Sequence, residues 1–296
     1  MSNDSGAFQD ALHEKTIGNV DVYESYKRSP YLSIKHSSYF HAYSELFAQY
    51  KGRAITFVEV GVLNGGSLFM WRDYFGPNAR IIGVDFNPLA KKWEKEGFEI
   101  HIGSQSDTDF WHRFFNAVGP VDLVLDDGGH TFEQQIITVH CCIPHIKDGG
   151  RMVVEDTHTS YFRDFGYPSK YSFIEWTKKL IDNINSRFPA VKVSTLPYKQ
   201  SVHSITFFES IVSLKIDRSK CFESVPTSNG GISSAAQDFR HQGTAMGKVR
   251  TVITNLARRF PALRESTLLR SLKNRAYGIY AAHHTKNRLK RLGKFF

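Results

Sequence analysis

Two acidic clusters stand out by residue type and spacing. Asp126-Asp127-Gly128-Gly129-His130 follows the apolar run Val121–Leu125, and Glu155-Asp156 follows Arg151–Val154. Carboxylates crowded at neighbouring strand ends repel one another and hold protons unless a cation sits between them. Asp127, Glu155 and Asp156 offer the hard oxygen donors that suit Mg²⁺ or a similar divalent cation, with positions left for water and substrate. His130, three residues beyond Asp127, then gains a purpose. A hydroxyl held against a cation needs a nearby acceptor for its proton, and an imidazole fills that role. His158, in Glu155-Asp156-Thr157-His158, is a weaker candidate for substrate contact or support of the ligands. The competing reading is that Glu155 and Asp156 merely cap the segment that follows.

A second group of residues reads as a pocket for an organic ligand. Glu59-Val60-Gly61-Val62-Leu63-Asn64-Gly65-Gly66-Ser67 follows an apolar run and precedes a helical pattern. Glycines at such a turn let the backbone approach a ligand, and the helix N-terminus presents free N–H groups. Leu63 stands where a dinucleotide fingerprint needs its second glycine, which disfavours pyrophosphate and a dehydrogenase. A ligand carrying an amino-acid carboxylate fits better. Asp85, ending Gly83-Val84-Asp85, can accept from both hydroxyls of a ribose. Gly103-Ser104-Gln105-Ser106-Asp107 lies where it can reach an adenine ring, although Asp107 is also a natural helix cap.

These loops need a frame that brings them to one edge. Strands are expected at Thr56–Gly61, Arg80–Phe86, Phe98–Gly103, Val121–Asp127 and Arg151–Asp156, separated by helical stretches such as Ser67–Phe75 and Glu133–His145. That alternation implies right-handed crossovers and a parallel sheet covered by helices on both faces, with the chemistry at the carboxyl edge. Val191–Tyr198 and Ser204–Ile216 are joined by only a few residues and are expected to form an antiparallel hairpin at the sheet edge. The fold class is thus α/β, Rossmann-like. Five parallel strands closed by an antiparallel edge hairpin form the pattern of class I methyltransferases.

The motifs EVGVLNGGSLFMWRDYFG, VDLVLDDGGHTFEQQ and VVEDTHTSYF resemble the metal-dependent macrocin and mycinamicin sugar O-methyltransferase family. The likeness runs from about Tyr39 to Tyr161, and DDGGH followed by ED is its most specific part. The resemblance implies S-adenosyl-L-methionine and Mg²⁺ or a similar cation, ligated by Asp127, Glu155 and Asp156, with His130 as general base. It implies cofactor contacts at Glu59, Gly61, Asp85 and Gln105. Asn64, Gly65, Ser67, Asp107 and Asp126 join these by position. The expected reaction is transfer of a methyl group to a sugar hydroxyl of a glycan, glycolipid or glycosylated natural product. A catechol-type or phenol-type acceptor is the alternative, although those enzymes place Lys where this chain has His130. A second alternative is a non-catalytic module recruited by its basic tail.

Composition bounds the rest. The chain has 296 residues, 41% hydrophobic and 14% aromatic, which reads as globular rather than disordered. Its polar, acid-bearing start lacks the pattern of a secretory signal, so a cytoplasmic location is expected. Residues 1–55 read as a helical cap with Tyr39, Tyr43, Leu46 and Phe47 on one stripe; residues 56–216 are the cofactor-binding domain. Residues 217–247 read as a linker or lid. Residues 248–296 read as a basic helical tail: the net charge is +9, but 241–296 alone carry +12. Val249, Val252, Ile253, Leu256 and Phe260 form an apolar stripe there. It is expected to pack on the main domain, on a second subunit of a homo-oligomer, or peripherally on an anionic membrane. Nucleic acid is a poor partner, since few aromatics interleave the charges. Cys141, Cys142 and Cys221 lack metal spacing and read as core thiols.

Overall fold

A computed structural model describes residues 16–193, 196–232, 247–248, 251–252, 255, 258–260 and 267–290. Clustering of contacts separates Met1–Pro226 from Thr227–Phe296.

In the first unit, five runs rich in Val, Ile and Leu form the parallel strands β1 (Thr56–Val60), β2 (Arg80–Asp85), β3 (Glu99–Ile102), β4 (Val121–Asp126) and β5 (Ile146–Val154). β1, β2 and β4, in the middle of the sheet, are buried from both faces, as a sheet with helices on each side requires. Two further strands, β6 (Val202–Phe208) and β7 (Ile211–Ile216), complete the sheet in the order β3-β2-β1-β4-β5-β7-β6. β7 runs antiparallel to both β5 and β6.

The hairpin expected at the edge is present, but within a shorter stretch. Val191–Tyr198 is not one of its strands; the described residues there are turn and coil, and Tyr198 packs in the core. Both strands come from within the stretch read as the single strand Ser204–Ile216, extended back to Val202. The reversal takes only Glu209 and Ser210, with Ser210 at φ 59. No Gly or Pro marks this turn, so the flanking alternation read as continuous.

The helices pack as the apolar periodicities require. α1 (Asp21–Arg28) and α2 (Tyr39–Phe47) cover one face with α3 (Gly66–Phe75); α4 (Thr108–Val118), α5 (Phe132–Cys142) and α6 (Phe173–Asn185) cover the other. Tyr39, Tyr43, Leu46 and Phe47 form the buried stripe of α2. Tyr43 and Phe47 meet Trp71 edge-on at 5.1 and 5.5 Å between ring centroids. Each such ring pair packs α2 onto α3 with about 0.5–1.5 kcal/mol beyond area burial.

In the second unit, α7 spans Thr267–Leu289. Val249, Ile253 and Leu256 lie outside the described residues, while Val252 and Phe260 are exposed. No helix among the described residues is long and apolar enough to cross a membrane.

Candidate active site

The carboxyl ends of β1, β2 and β4 open onto a cleft of about 790 Å³, within the range of small-molecule sites. Backbone bonds carry the sheet register beyond the strands. Asp127 N–H donates to Val60 C=O, and Gly61 N–H to Val84 C=O. Gly61 has φ 91, and a Cβ there would sit 2.1 Å from the Asp127 carbonyl oxygen, so only glycine permits this approach of the first and fourth strand ends. A Cβ at Gly128 would meet Gln105 Oε1 at 2.0 Å, so any side chain there must displace the Gln105 amide from its partners.

Gly61, Asn64, Ser67, Asp85, Gln105, Asp127, His130 and Asp156 line the cleft. Asp85 organises the glycine loop as well as facing the cleft. Its Oδ2 accepts from Val62 N–H at 2.8 Å and Leu63 N–H at 3.1 Å, and its Oδ1 accepts from Asn87 N–H at 2.7 Å. Leu63, Phe86 and Leu89 stand exposed at the rim and give it apolar walls. Gln105 is pinned by three partners: its amide donates to Asp126 Oδ1 (2.9 Å) and Thr138 Oγ1 (3.0 Å) and accepts from Gly129 N–H (2.8 Å).

Four residues expected to touch a cofactor stand back from the cleft lining. Glu59 is fully buried and accepts from Ser67 Oγ (2.8 Å) and Trp71 Nε1 (3.0 Å). Burial pushes its carboxyl up to about 7, against the pull of Lys35. Burial likewise pushes Asp126 up to about 7, although Gln105 and Gly128 N–H favour its ionised form. Gly65 backs onto the Trp93 ring. Asp107 caps α4, accepting from Asp109 N–H at 2.9 Å. Their places behind the lining make them supports of the loops that form it.

The acids divide into two sets. Asp127, His130 and Asp156 bring one donor atom each to within 4.8 Å of one another. His130 Nε2 lies 3.3 Å from Asp156 Oδ2 and 3.9 Å from Asp127 Oδ1. His130 and Asp156 both sit in the left-handed region, at φ 59 and φ 54. Thr159 Oγ1 links the two loops, 2.7 Å from the Asp156 carbonyl and 3.1 Å from that of His130. Thr131 and Gln134 form a capping box that starts α5 immediately after His130. His130 Nδ1 is buried with no hydrogen-bond partner among the described residues, so Nε2 is the ring atom turned to the acids.

Glu155 belongs to the other set. It is fully buried; Oε1 accepts from Tyr43 OH at 2.5 Å and Oε2 from Lys35 Nζ at 2.9 Å. It is absent from the groups of convergent ligand atoms among the described residues. Lys35 also donates to Asp127 Oδ2 at 2.6 Å and lies 4.0 Å from Glu59. Burial pulls the Lys35 ammonium down, but Asp127, Glu155 and Glu59 outweigh it and hold Lys35 charged, well above its ordinary value. Burial and the neighbouring Asp127 raise Glu155 well above the carboxylate range, against Lys35 and Tyr43. One ammonium faces three carboxylates here, and burial favours the protonated forms of Glu155 and Glu59.

The donor chemistry of the first set fits a hard divalent cation, because Mg²⁺ is held through one or two carboxylates and keeps its other positions for water and substrate. Asp127 and Asp156 would hold it, with His130 beside them; Glu155 in this arrangement is committed to Lys35 and Tyr43. Lys35 escaped the sequence reading because it contacts Asp127 and Glu155 from 92 and 120 residues away. The Tyr39 and Tyr43 hydroxyls, which donate to Asp156 and Glu155, were hidden in a stripe that also serves as core.

Comparison with known proteins bears on the fold that carries this site. Residues 58–157 match a family model described as a methyltransferase domain. A tetracenomycin-C rhamnosyl 2'-O-methyltransferase of Streptomyces olivaceus is 32% identical over 171 residues, covering 52% of this chain and 45% of the relative. Mycinamicin VI 2''-O-methyltransferase of Micromonospora griseorubida is 32% identical over 133 residues, covering 42% and 32%. The MycE methyltransferase, solved with Mg, SAH and mycinamycin VI, superposes with a TM-score of 0.58 at 25% identity, over 72% of this chain and 57% of that one. The fold is thus that of a Rossmann-like methyltransferase, and the likeness to sugar O-methyltransferases read from the motifs is borne out. The chain spans less than half the length of the curated relatives it matches.

Proposed function

We propose that this chain is an S-adenosylmethionine-dependent, cation-assisted O-methyltransferase acting on a sugar hydroxyl of a glycan, glycolipid or glycosylated natural product. The observation that carries the reading is the meeting of two sets of groups in one cleft. The glycine loop and Asp85 lie on one side, and Asp127, His130 and Asp156 on the other.

When bound, the sulfonium supplies its methyl carbon to an oxygen nucleophile and leaves as a thioether, and the cation supplies charge that favours loss of the hydroxyl proton. The protein's own residues do the remainder. The loop after β1 and the Asp85 carboxylate hold the nucleoside end, and Gln105 fixes the wall beside it. Leu63, Phe86 and Leu89 offer exposed apolar surface at the rim for the nucleoside to pack against. His130 Nε2 takes the hydroxyl proton, and the imidazolium so formed is stabilised by Asp156 Oδ2 at 3.3 Å and Asp127 Oδ1 at 3.9 Å.

The test is transfer of labelled methyl from S-adenosylmethionine to a panel of glycosides and catechols, with and without exhaustive chelation. Methylation of a glycoside that chelation abolishes is the expected result. Transfer to catechols alone would reassign the acceptor. Calorimetry that detects NAD but no S-adenosylhomocysteine would overturn the reading itself.

A further inference from the structure

The Asp156 carboxylate has two oxygens, and they face different surroundings. Oδ2 looks into the cleft toward His130, whereas Oδ1 looks outward to a second pair of imidazoles. His36 Nε2 lies 4.0 Å and His158 Nδ1 3.9 Å from Oδ1, and these three residues form a separate group of convergent ligand atoms. We infer that His36, Asp156 and His158 form a second cation site, selective for a borderline transition-metal ion such as Zn²⁺.

The donor set decides the class of ion. Two imidazoles and one carboxylate suit Zn²⁺ and its neighbours, whereas an all-oxygen set suits Mg²⁺. Separations of about 4 Å need only a small contraction to reach those between atoms sharing an ion at about 2.1 Å. Three protein donors leave a fourth position for water or an anionic group of a ligand.

Three elements far apart in sequence build the site. His36 comes from the segment before α2, His158 from the turn after β5, and Ser210 from the β6–β7 turn. The two imidazole rings meet edge-on, 5.6 Å between centroids, and His36 and His158 pack also on Tyr39 and Phe162. Tyr39 OH donates to Asp156 Oδ1 and receives the Asp156 N–H at 3.3 Å. That leaves Oδ1 a second lone pair on the histidine side. Ser210 Oγ lies 2.9 Å from His158 Nδ1; a freely rotating hydroxyl can release that nitrogen to an ion. Asp156 itself holds a left-handed backbone at φ 54, an unfavourable state for a residue with a Cβ. Its carboxylate stands between the two groups, with Oδ2 toward His130 and Oδ1 toward His36 and His158, so one side chain serves both. The inference needs nothing from the proposed methyl transfer.

The test is Zn²⁺ binding to the full chain, followed by competition with a chromogenic chelator, and Co²⁺ binding followed by visible absorption. His36→Gln is the main variant, because His36 is two-thirds exposed and its loss leaves the core intact. His158→Ala is the second, and His130→Ala is the control for the cleft. His36→Gln and His158→Ala are each expected to weaken one Zn²⁺ equivalent by more than tenfold and to change the Co²⁺ spectrum, since even indirect support of a metal ligand is worth about 10–100-fold. His130→Ala is expected to retain that equivalent. S-adenosylhomocysteine affinity, measured in parallel, reports the proposed function separately. Wild-type Zn²⁺ affinity and stoichiometry in His36→Gln would overturn the inference, as would loss of the ion in His130→Ala alone.

Discussion

Lys35 Nζ donates to Asp127 Oδ2 over 2.6 Å from a side chain only 1% exposed, and the same ammonium reaches Glu155 Oε2 over 2.9 Å. An internal cation thus stands against two of the acids that the motif offers to a metal. Its segment also lines the cleft, through Leu32, Ser33 and Ile34. Like charges a few ångströms apart oppose each other by about 4 kcal/mol at a typical effective dielectric. Lys35→Met is therefore expected to tighten Mn²⁺ or Mg²⁺ binding at least about tenfold by calorimetry. Without the cation, the variant should lose roughly 3–5 kcal/mol of stability, because buried carboxylates lose their partner. Weaker cation binding in a folded Lys35→Met protein would show that Lys35 orients Asp127 instead of opposing the ion.

Motif residues that share a strand end were legible because the parallel sheet maps successive loops onto one edge. Asp85, Gln105, Asp127 and His130 are brought together by that rule, and all four line the cleft. Side-chain direction was not legible. Glu155 and Asp156 are adjacent, yet one turns inward to Lys35 and Tyr43 while the other, at φ 54, faces His130. The two-residue turn at Glu209-Ser210 was missed for a related reason: a non-glycine residue adopts the positive φ there.

His130→Ala should lower kcat by roughly two to four orders of magnitude, the range for a lost general base. S-adenosylhomocysteine affinity and the melting temperature should change little, because Nδ1 has no hydrogen-bond partner among the described residues and the Nε2 partners Asp156 and Asp127 stay partly exposed to water. A loss of only a few-fold in kcat, measured with saturating acceptor, would assign the proton transfer elsewhere.

Asp85→Ala removes more than a ribose acceptor. The carboxylate also ties Val62 and Leu63 N–H to the end of β2, so the glycine loop loses two of its anchors. Asp85→Asn keeps one amide oxygen to accept those bonds. Calorimetry with S-adenosylhomocysteine is expected to rank wild type above Asp85→Asn above Asp85→Ala, with Asp85→Ala weakened at least about tenfold, the cost of a hydrogen bond to a charged group. Equal affinities in all three would place the nucleoside away from β2.

Glu59 makes the pH dependence testable. Burial raises its carboxyl from 4.5 to about 7, so between those values the folded chain holds a proton that the unfolded chain has released. Stability from this group is then fully present below about 4.5 and is lost as pH rises through about 7. The amount is on the order of 3 kcal/mol, at 1.36 kcal/mol for each pH unit of displacement. Glu59→Gln keeps one oxygen to accept from Trp71 Nε1 and turns an amide N–H toward Ser67 Oγ, which can accept it, but cannot ionise. Denaturant unfolding of both proteins across about pH 4.5 to 8 should show wild type losing ground to Glu59→Gln as pH rises. Parallel stability curves would mean that Lys35, 4.0 Å away, keeps Glu59 ionised throughout.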